Sequence, residues 1–208
     1  MRLDALATSV LARPARLRGA RLICIDGRAG AGKTSLANRL AAELAGSPTA
    51  GTASASQVSA QRSATGPVTT VHMDDLYEGW AGLNTVAEVV VSELIAPWLA
   101  GEPAALAAWD WRTDRRLDPV PVELTATVVL EGVGSWSHRY ADAVSTLVWL
   151  ECDDETRRRR ALERDGSVFA EHWDSWAVDE ARVHAREQTR THADVVIDTS
   201  PQRAVSLP

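Results

Sequence analysis

One stretch decides the fold: Gly27-Arg28-Ala29-Gly30-Ala31-Gly32-Lys33-Thr34, which fits the pattern G-x-x-x-x-G-K-[ST] without a gap. Residues 22–26 before it are typical of a short buried strand, and residues 35–44 after it are typical of a helix. Glycines let the backbone curl around a polyphosphate with successive N–H groups pointing inward, and the helix N-terminus adds partial positive charge. The stretch therefore predicts a loop that binds a nucleotide.

Lys33 is the only lysine in the chain, whose other basic residues are arginines and five histidines. A glycine-rich turn that matched the pattern by accident would be expected to carry arginine here. In a phosphate loop the lysine reaches the β- and γ-phosphates, and the hydroxyl of Thr34 binds Mg²⁺. We therefore expect a nucleotide and Mg²⁺ as cofactors, held by residues 27–34 together with Ser35.

Composition sets limits on the protein class. A chain of 208 residues, 45% hydrophobic and 24% charged, suits a single globular domain over residues 1–208. The net charge of −6 argues against a general nucleic-acid binder and against a membrane-surface binder. No apolar run is long enough to span a bilayer and no secretory segment is visible, so the expected location is the cytoplasm. The sequence leaves the oligomeric state open, a homo-oligomer included.

The hydrophobic pattern predicts an α/β protein. Near-continuous apolar runs alternate with helical patterns, which is typical of a buried, mostly parallel sheet. The apolar runs lie at about residues 21–26, 68–73, 126–130, 146–150 and 195–197. Between and around them we expect an N-terminal helix within residues 1–19, a flexible surface insertion at 46–67, a helix capped by Asn84 and running to about Leu99, a hairpin or loop at 109–122, and lid and C-terminal helices at 153–190.

Acidic residues follow two of the predicted strands. Glu131 ends one strand and is followed by glycine, which suits a residue that orients Mg²⁺ beside a phosphate loop. Asp74 and Asp75 follow another strand, and ligands gather at the carboxyl ends of parallel strands. In an extended chain only one of the two faces the site, where it could accept a hydroxyl proton. Taken alone, the pair favours the other explanation, a solvated turn with a helix cap.

Aromatic and arginine residues supply further candidates. Trp109 and Trp111 alternate, so in extended backbone the two indoles could share one face and stack on a flat group; a hydrophobic edge strand is the other explanation. Arginines at helical spacing could close over a transferring phosphoryl group, or form an exposed basic face. They are Arg157, Arg160 and Arg164, while Arg112, Arg115 and Arg116 follow the tryptophans.

Together these segments resemble the uridine kinase and phosphoribulokinase group of P-loop small-molecule kinases over residues 20–198. The similar segments are the phosphate loop, Asp74-Asp75-Leu76-Tyr77, Trp109-Asp110-Trp111, residues 128–132, Thr156-Arg157, Arg164-Asp165 and residues 189–196. The resemblance implies the P-loop nucleoside-triphosphate hydrolase fold of the nucleoside kinase type, with a five-stranded parallel sheet and helices on both faces. It also implies Mg·ATP as donor, Asp74 as the base, Glu131 at the metal, and Tyr77, Trp109, Trp111 and Arg112 around the acceptor.

Three departures separate this chain from the nucleoside kinases of that group. Residues 79–83 lack the carboxylate that holds the ribose hydroxyls, Asp114 replaces a histidine that helps select the pyrimidine, and residues 166–169 lack further lid arginines. The acceptor pocket is therefore expected to differ from that of a uridine kinase.

The sequence thus predicts an ATP-dependent kinase that phosphorylates a hydroxyl of a small metabolite, a nucleoside being one option. Lys33, Thr34, Glu131 and Asp74 are expected to carry the chemistry, with Arg160 and Arg164 as lid residues. Two alternatives stay open, a switch that hydrolyses ATP slowly and a kinase-like protein that binds a metabolite without turnover.

Overall fold

The computed structural model describes residues 2–46, 60–61 and 67–201. Its strands are β1 (Arg21–Gly27), β2 (Ala60–Gln61), β3 (Val68–His72), β4 (Ala104–Leu106), β5 (Trp109–Asp110), β6 (Arg115–Arg116), β7 (Val120–Val122), β8 (Thr127–Glu131), β9 (Val144–Glu151) and β10 (Val195–Asp198). Its α-helices are α1 (Leu3–Ala12), α2 (Lys33–Leu44), α3 (Val86–Val90), α4 (Ala96–Ala100), α5 (Asp154–Glu187) and α6 (Thr189–His192). Short 3₁₀ helices span Met73–Asp75, Gly79–Asn84 and His138–Ala143.

The main sheet has the strand order β10-β9-β1-β8-β3-β2. Its first five strands are parallel, which confirms the predicted five-stranded parallel sheet. The sixth, β2, pairs antiparallel with β3 and lies in the segment 46–67 that was predicted as an insertion. Residues 47–59 and 62–66 of that segment lie outside the described residues. In the segment 109–122, where a hairpin or loop was expected, β5 pairs antiparallel with β6, while β7 pairs antiparallel with β4, which precedes that segment.

The sheet is buried on both faces because β1 is apolar at successive positions. Leu22 and Cys24 belong to one core cluster, and Ile23 and Ile25 belong to another. Alternate residues of a strand point to opposite faces, so the two clusters lie on opposite sides of the sheet. The cluster with Ile23 takes its helical residues from α1 and α2, whereas the one with Leu22 takes them from α3, α4 and α5. This arrangement confirms helices on both faces.

The helix predicted from Asn84 to about Leu99 is interrupted. A π-helical turn, Val91–Ile95, joins α3 to α4, and Pro97 lies in the first turn of α4. Proline has no backbone N–H to donate to the preceding turn, which accounts for the irregular hydrogen bonding there. Asn84 belongs to the preceding 3₁₀ helix and Thr85 holds the N-cap position, so the prediction that Asn84 caps the helix is wrong.

Helix α5 combines the two helices predicted between residues 153 and 190. Asp153 caps it, accepting a hydrogen bond from the N–H of Thr156 at 2.8 Å. Gly166 interrupts it with φ 69° and ψ −152°, a conformation that residues with a side chain rarely adopt. The helix therefore has a first part that ends beside Arg164 and a second part that packs on the core. No helix in the described part of the chain is long and apolar enough to cross a membrane.

The phosphate loop approaches α5 at Gly30. A Cβ atom added to Gly30 would lie 2.0 Å from the carbonyl oxygen of Arg157, whereas one added to Gly19 would meet nothing within 4 Å. Both glycines have positive φ, 79° and 86°, so alanine strains the backbone at both. Gly30→Ala should therefore lower the free energy of unfolding by about 1–3 kcal/mol more than Gly19→Ala does. Urea unfolding measures the difference, and equal losses would contradict the close approach.

Candidate functional site

The predicted phosphate loop lies between β1 and α2 at the carboxyl edge of the sheet. Gly27 ends β1, and Lys33 begins α2 directly after Gly32, which takes the N-cap position with φ 95°. The loop therefore delivers its backbone N–H groups and a helix N-terminus to one place, as anion binding requires.

Lys33 lies within this loop and is buried, with 8% of its surface exposed. Its Nζ donates to the carbonyl oxygen of Arg28 at 3.0 Å. Burial lowers the pKa of Lys33, while the charges of Glu180, Glu131, Asp26 and Asp74 oppose that shift. The lysine is thus the common neighbour of four carboxylates from four different segments of the chain.

Thr34 and Glu131 form the candidate metal site. The Thr34 hydroxyl donates to the carboxylate of Glu131, with distances of 3.0 and 3.2 Å to its two oxygens. A hydroxyl and a carboxylate are ligands that Mg²⁺ accepts, and at nucleotide sites phosphate oxygens and water complete its shell. The residues present therefore fit Mg²⁺. Across residues 2–46, 60–61 and 67–201, no cluster of three or more His, Cys, Asp or Glu side chains offers a metal site built from protein alone.

His72 completes this group and was missed by the sequence analysis. It ends β3 and pairs in register with Glu131 at the end of β8. Its Nδ1 lies 2.6 Å from Oε1 of Glu131, and this hydrogen bond, followed by the charge of Glu131, raises the pKa of His72. Only the strand order brings the two residues side by side, so no local pattern could have revealed the contact.

Asp26 is a second residue that the sequence analysis missed. It is fully buried at the end of β1, and its Oδ1 accepts from the N–H of Gly27 at 2.7 Å and of Gly134 at 2.9 Å. Its Oδ2 accepts from the N–H of Trp136 at 3.2 Å, and Nε2 of His184 lies 3.1 Å from Oδ1. One carboxylate thus joins the phosphate loop, the loop after β8 and helix α5.

Asp74 lies beside this group on a 3₁₀ helix. Because Met73–Asp75 is helical, the argument from an extended chain that only one aspartate faces the site does not apply. Asp74 is exposed, yet the atoms packed around its carboxylate partly desolvate it. This desolvation, followed by the charge of Glu131, raises the pKa of Asp74, while the charges of Arg164 and Lys33 oppose the shift. For Asp75, desolvation again comes first among the causes that raise the pKa.

The lid arginines point in different directions. Arg164 makes two hydrogen bonds of 2.7 Å to Asp165, and the charges of Asp74 and Glu131 also reach its guanidinium. Arg160 instead donates to the carbonyl oxygen of Thr199 at 3.0 Å, on the far side of the phosphate loop. The structure therefore brings Arg164 to the predicted site but does not bring Arg160 to it.

A cavity of about 370 Å³ adjoins the loop on the side of Arg160. Gly32 and Ser35 line it from the loop and α2, and Arg160 and Thr199 line it from α5 and the end of β10. Helix α1 contributes Leu3 and Leu6 to its outer wall. Its position beside the phosphate loop and its size suit a nucleotide base.

The predicted acceptor residues separate into two groups. Trp111 is partly exposed, and its Nε1 donates to the carbonyl oxygen of Asp74 at 2.9 Å, which places it at the candidate site. Arg112 is exposed beside it. Tyr77 is instead buried and donates its hydroxyl to the carbonyl oxygen of Val133 at 2.7 Å, so its side chain serves the core and is not available to an acceptor.

The prediction that Trp109 and Trp111 share one face of an extended segment is wrong, because β5 ends at Asp110 and Trp111 begins a turn. Trp80, which the sequence analysis did not single out, is the centre of the aromatic group. Its ring centroid lies 5.0 Å from that of Trp111, and it stacks on His172 at 4.2 Å and on Phe169 at 5.6 Å. The last two residues belong to the second part of α5, so this helix packs against the aromatic group at Trp80.

Comparison with solved structures shows which fold this is. A protein described as a possible uridine kinase, from Bacillus stearothermophilus, has a TM-score of 0.65 and 22% identity, over 94% of this chain and 97% of that one. Another, provisionally described as a fructose transport system kinase, from Silicibacter sp. TM1040, has a TM-score of 0.57 and 19% identity, over 95% and 99% of the two chains. No protein-family model matches the chain, and no curated protein matches it in sequence. The chain therefore has a kinase-like P-loop fold.

The ion pair of His72 and Glu131 predicts a pH-dependent stability. Because the pKa of His72 is raised in the folded protein, its charged imidazole stabilises the fold below pH 6.5, the pKa of an ordinary histidine. This stabilisation is lost as the pH rises through the raised pKa of His72. Wild type should therefore lose stability relative to His72→Asn as the pH rises from 6.5 through the raised pKa of His72, because asparagine keeps a neutral donor and does not titrate. Thermal unfolding across this range measures the effect. Parallel curves for the two proteins would count against the ion pair.

Proposed function

We propose that this protein is an ATP-dependent kinase that transfers the γ-phosphate to a hydroxyl of a small metabolite. One observation carries the proposal: the lysine of the phosphate loop, a threonine–carboxylate pair and an aspartate with a raised pKa meet at one edge of the sheet. Thr34 contacts Glu131 at 3.0 Å, and the charges of Glu131 and Asp74 both reach Lys33. A nucleotide switch does not need an aspartate beside a group of aromatic side chains such as Trp111 and Trp80.

The roles of these residues follow from their positions. Lys33 leaves the Arg28 carbonyl and binds the β- and γ-phosphates, while the loop N–H groups hold the remaining oxygens. Thr34 and Glu131 would hold Mg²⁺, which would neutralise charge on the triphosphate. Asp74 accepts the proton of the acceptor hydroxyl as the hydroxyl oxygen bonds to the γ-phosphorus and the bond to the ADP oxygen breaks. Arg164 stabilises the charge on the transferred group.

Two regions are proposed to receive the rest of the substrates. The cavity of about 370 Å³ beside Gly32 and Ser35 takes the base of ATP. The acceptor lies beside Asp74, where Trp111 and Trp80 offer flat apolar faces, Arg112 is exposed, and Trp109 lies half-buried in β5. Because residues 79–83 contain no carboxylate, we do not expect uridine or cytidine to be the preferred acceptor.

The remaining properties are proposed with this function. The partners are ATP and a small-molecule acceptor, with neither a nucleic acid nor a membrane involved, and the protein works in the cytoplasm. The chain folds as one domain in which the first part of α5 serves as the lid.

Lys33 allows a direct test because no other lysine competes with it. An amine-reactive ATP analogue should label Lys33 as the only internal amine, and Mg·ATP should protect it. Burial lowers the pKa of Lys33, so more of the reactive neutral amine is present at alkaline pH than for an ordinary lysine. Lys33→Ala should lose most phosphotransfer and remain folded. The proposal fails if Mg·ATP gives no protection, or if ADP release is unchanged by a broad metabolite panel.

Substitution of Asp74 tests its proposed role as the general base. Asp74→Asn should reduce turnover by about 10²–10⁴-fold, the usual contribution of a positioned general base, and leave ATP affinity nearly unchanged. Asp75→Asn, a matched change one residue further on, should reduce turnover far less. Steady-state kinetics with the best acceptor of the panel measures both variants. Equal losses from the two would show that the base is not Asp74 alone.

A further inference from the structure

Helix α5 carries a carboxylate on the face that it packs against the core. Glu180 is fully buried, four residues after Trp176 and seven after Trp173, which are buried on the same face. A charged side chain in such a position destabilises the fold unless partners replace its lost hydration. The partners of Glu180 therefore indicate its role.

Glu180 contacts the phosphate loop and the first turn of its own helix. Its Oε1 accepts a hydrogen bond from the backbone N–H of Ala29. Its Oε2 lies 3.4 Å from Nε of Arg28 and 3.6 Å from Nη1 of Arg157. The two arginines offset its charge, so the carboxylate can lie close to a polyphosphate site without acting as an isolated anion.

The hydrogen bond from Ala29 fixes a particular peptide group of the loop. The N–H of Ala29 and the carbonyl of Arg28 belong to the same planar peptide and point in opposite directions. That carbonyl accepts from Nζ of Lys33 at 3.0 Å and from the N–H of Ala31 at 3.1 Å. Glu180 and Lys33 thus hold one peptide plane from opposite sides.

The two contacts differ in what happens to them when a nucleotide binds. Under the proposed function Lys33 turns to the phosphates, and the Arg28 carbonyl then loses this partner. Glu180 does not take part in that exchange, because its helix packs on the core through Trp176 and Trp173. It remains the side-chain contact that keeps the peptide in place.

Resting on the proposed function, we propose that Glu180 is a positioning residue for the donor nucleotide. It fixes the Arg28–Ala29 peptide, so that the loop keeps its shape when Lys33 moves to the phosphates. Glu180 acts through Ala29 and touches neither ATP nor the acceptor. Removal of the Glu180 carboxylate should therefore weaken nucleotide binding and leave the aromatic group around Trp80 intact.

A matched pair of variants, Glu180→Gln and Glu180→Met, tests the proposal. Both replacements are uncharged and similar in size, but only glutamine keeps an oxygen that can accept from Ala29. Mg·ATP affinity is measured by isothermal titration calorimetry well below the unfolding temperature. Glu180→Met should weaken binding roughly tenfold or more, because it leaves a buried N–H without a partner, and Glu180→Gln should stay within about threefold of wild type. Glu171→Met, an exposed position on the same helix, should change nothing.

The outcomes separate this inference from the proposed function. Wild type that fails to bind Mg·ATP would contradict the proposed function itself. If wild type binds Mg·ATP and the two variants bind it with equal affinity, only the role of Glu180 is overturned. Tighter binding of Mg·ATP by both variants than by wild type would also overturn that role. If Glu180→Met does not fold, amide hydrogen exchange of wild type decides instead. Slow exchange of the Ala29 N–H with Mg·ATP bound supports the proposal, and fast exchange overturns it.

Discussion

The buried carboxylate of Asp26 is the interaction on which the rest of the site depends. Asp26 is the penultimate residue of the central strand β1, and its carboxylate accepts hydrogen bonds from the backbone N–H groups of Gly27, Gly134 and Trp136. A carboxylate that accepts several N–H groups in the interior is strongly held, because each donor would otherwise lose its partner. The loops after β1 and β8 are therefore fixed relative to each other before any ligand binds, and His184 extends this network to α5. This one side chain thus adds to the pairing of β1 with β8, which places Glu131 beside the strand that leads into the phosphate loop.

The charge of the site explains why a triphosphate would need help to bind. Lys33 is surrounded by the charges of Glu180, Glu131, Asp26 and Asp74, and a nucleotide adds further negative charge. In the proposed function Mg²⁺ offsets part of this charge at Thr34 and Glu131, and Arg164 offsets part of it from the lid. Glu180 differs from the others because Arg28 and Arg157 already balance it. The acidic site thus favours a metal-bound nucleotide over a free one.

Structural features that depend on a contiguous stretch of residues could be predicted from the sequence. Contacts that depend on the strand order could not. The loop at Gly27–Thr34 and the apolar strands follow from local patterns, and the structure contains them. The contact of His72 with Glu131 requires β3 and β8 to be neighbours, which no local pattern states. The stack of Trp80 on His172, and the bond from Ala29 to Glu180, join segments far apart in the chain. The alternating pattern of Trp109 and Trp111 gave a wrong prediction of a shared face, because a turn begins at Trp111 where extended backbone was assumed.

The most direct test of the account is a crystal structure with Mg²⁺ and a non-hydrolysable ATP analogue. We predict that the β- and γ-phosphates lie against the loop at Gly27–Thr34, with Nζ of Lys33 moved from the Arg28 carbonyl to the phosphate oxygens. The metal should bind the Thr34 hydroxyl close to Glu131, and the base should fill the cavity beside Ser35. A nucleotide bound elsewhere, or a Lys33 that still contacts the Arg28 carbonyl with the triphosphate in place, would contradict the account.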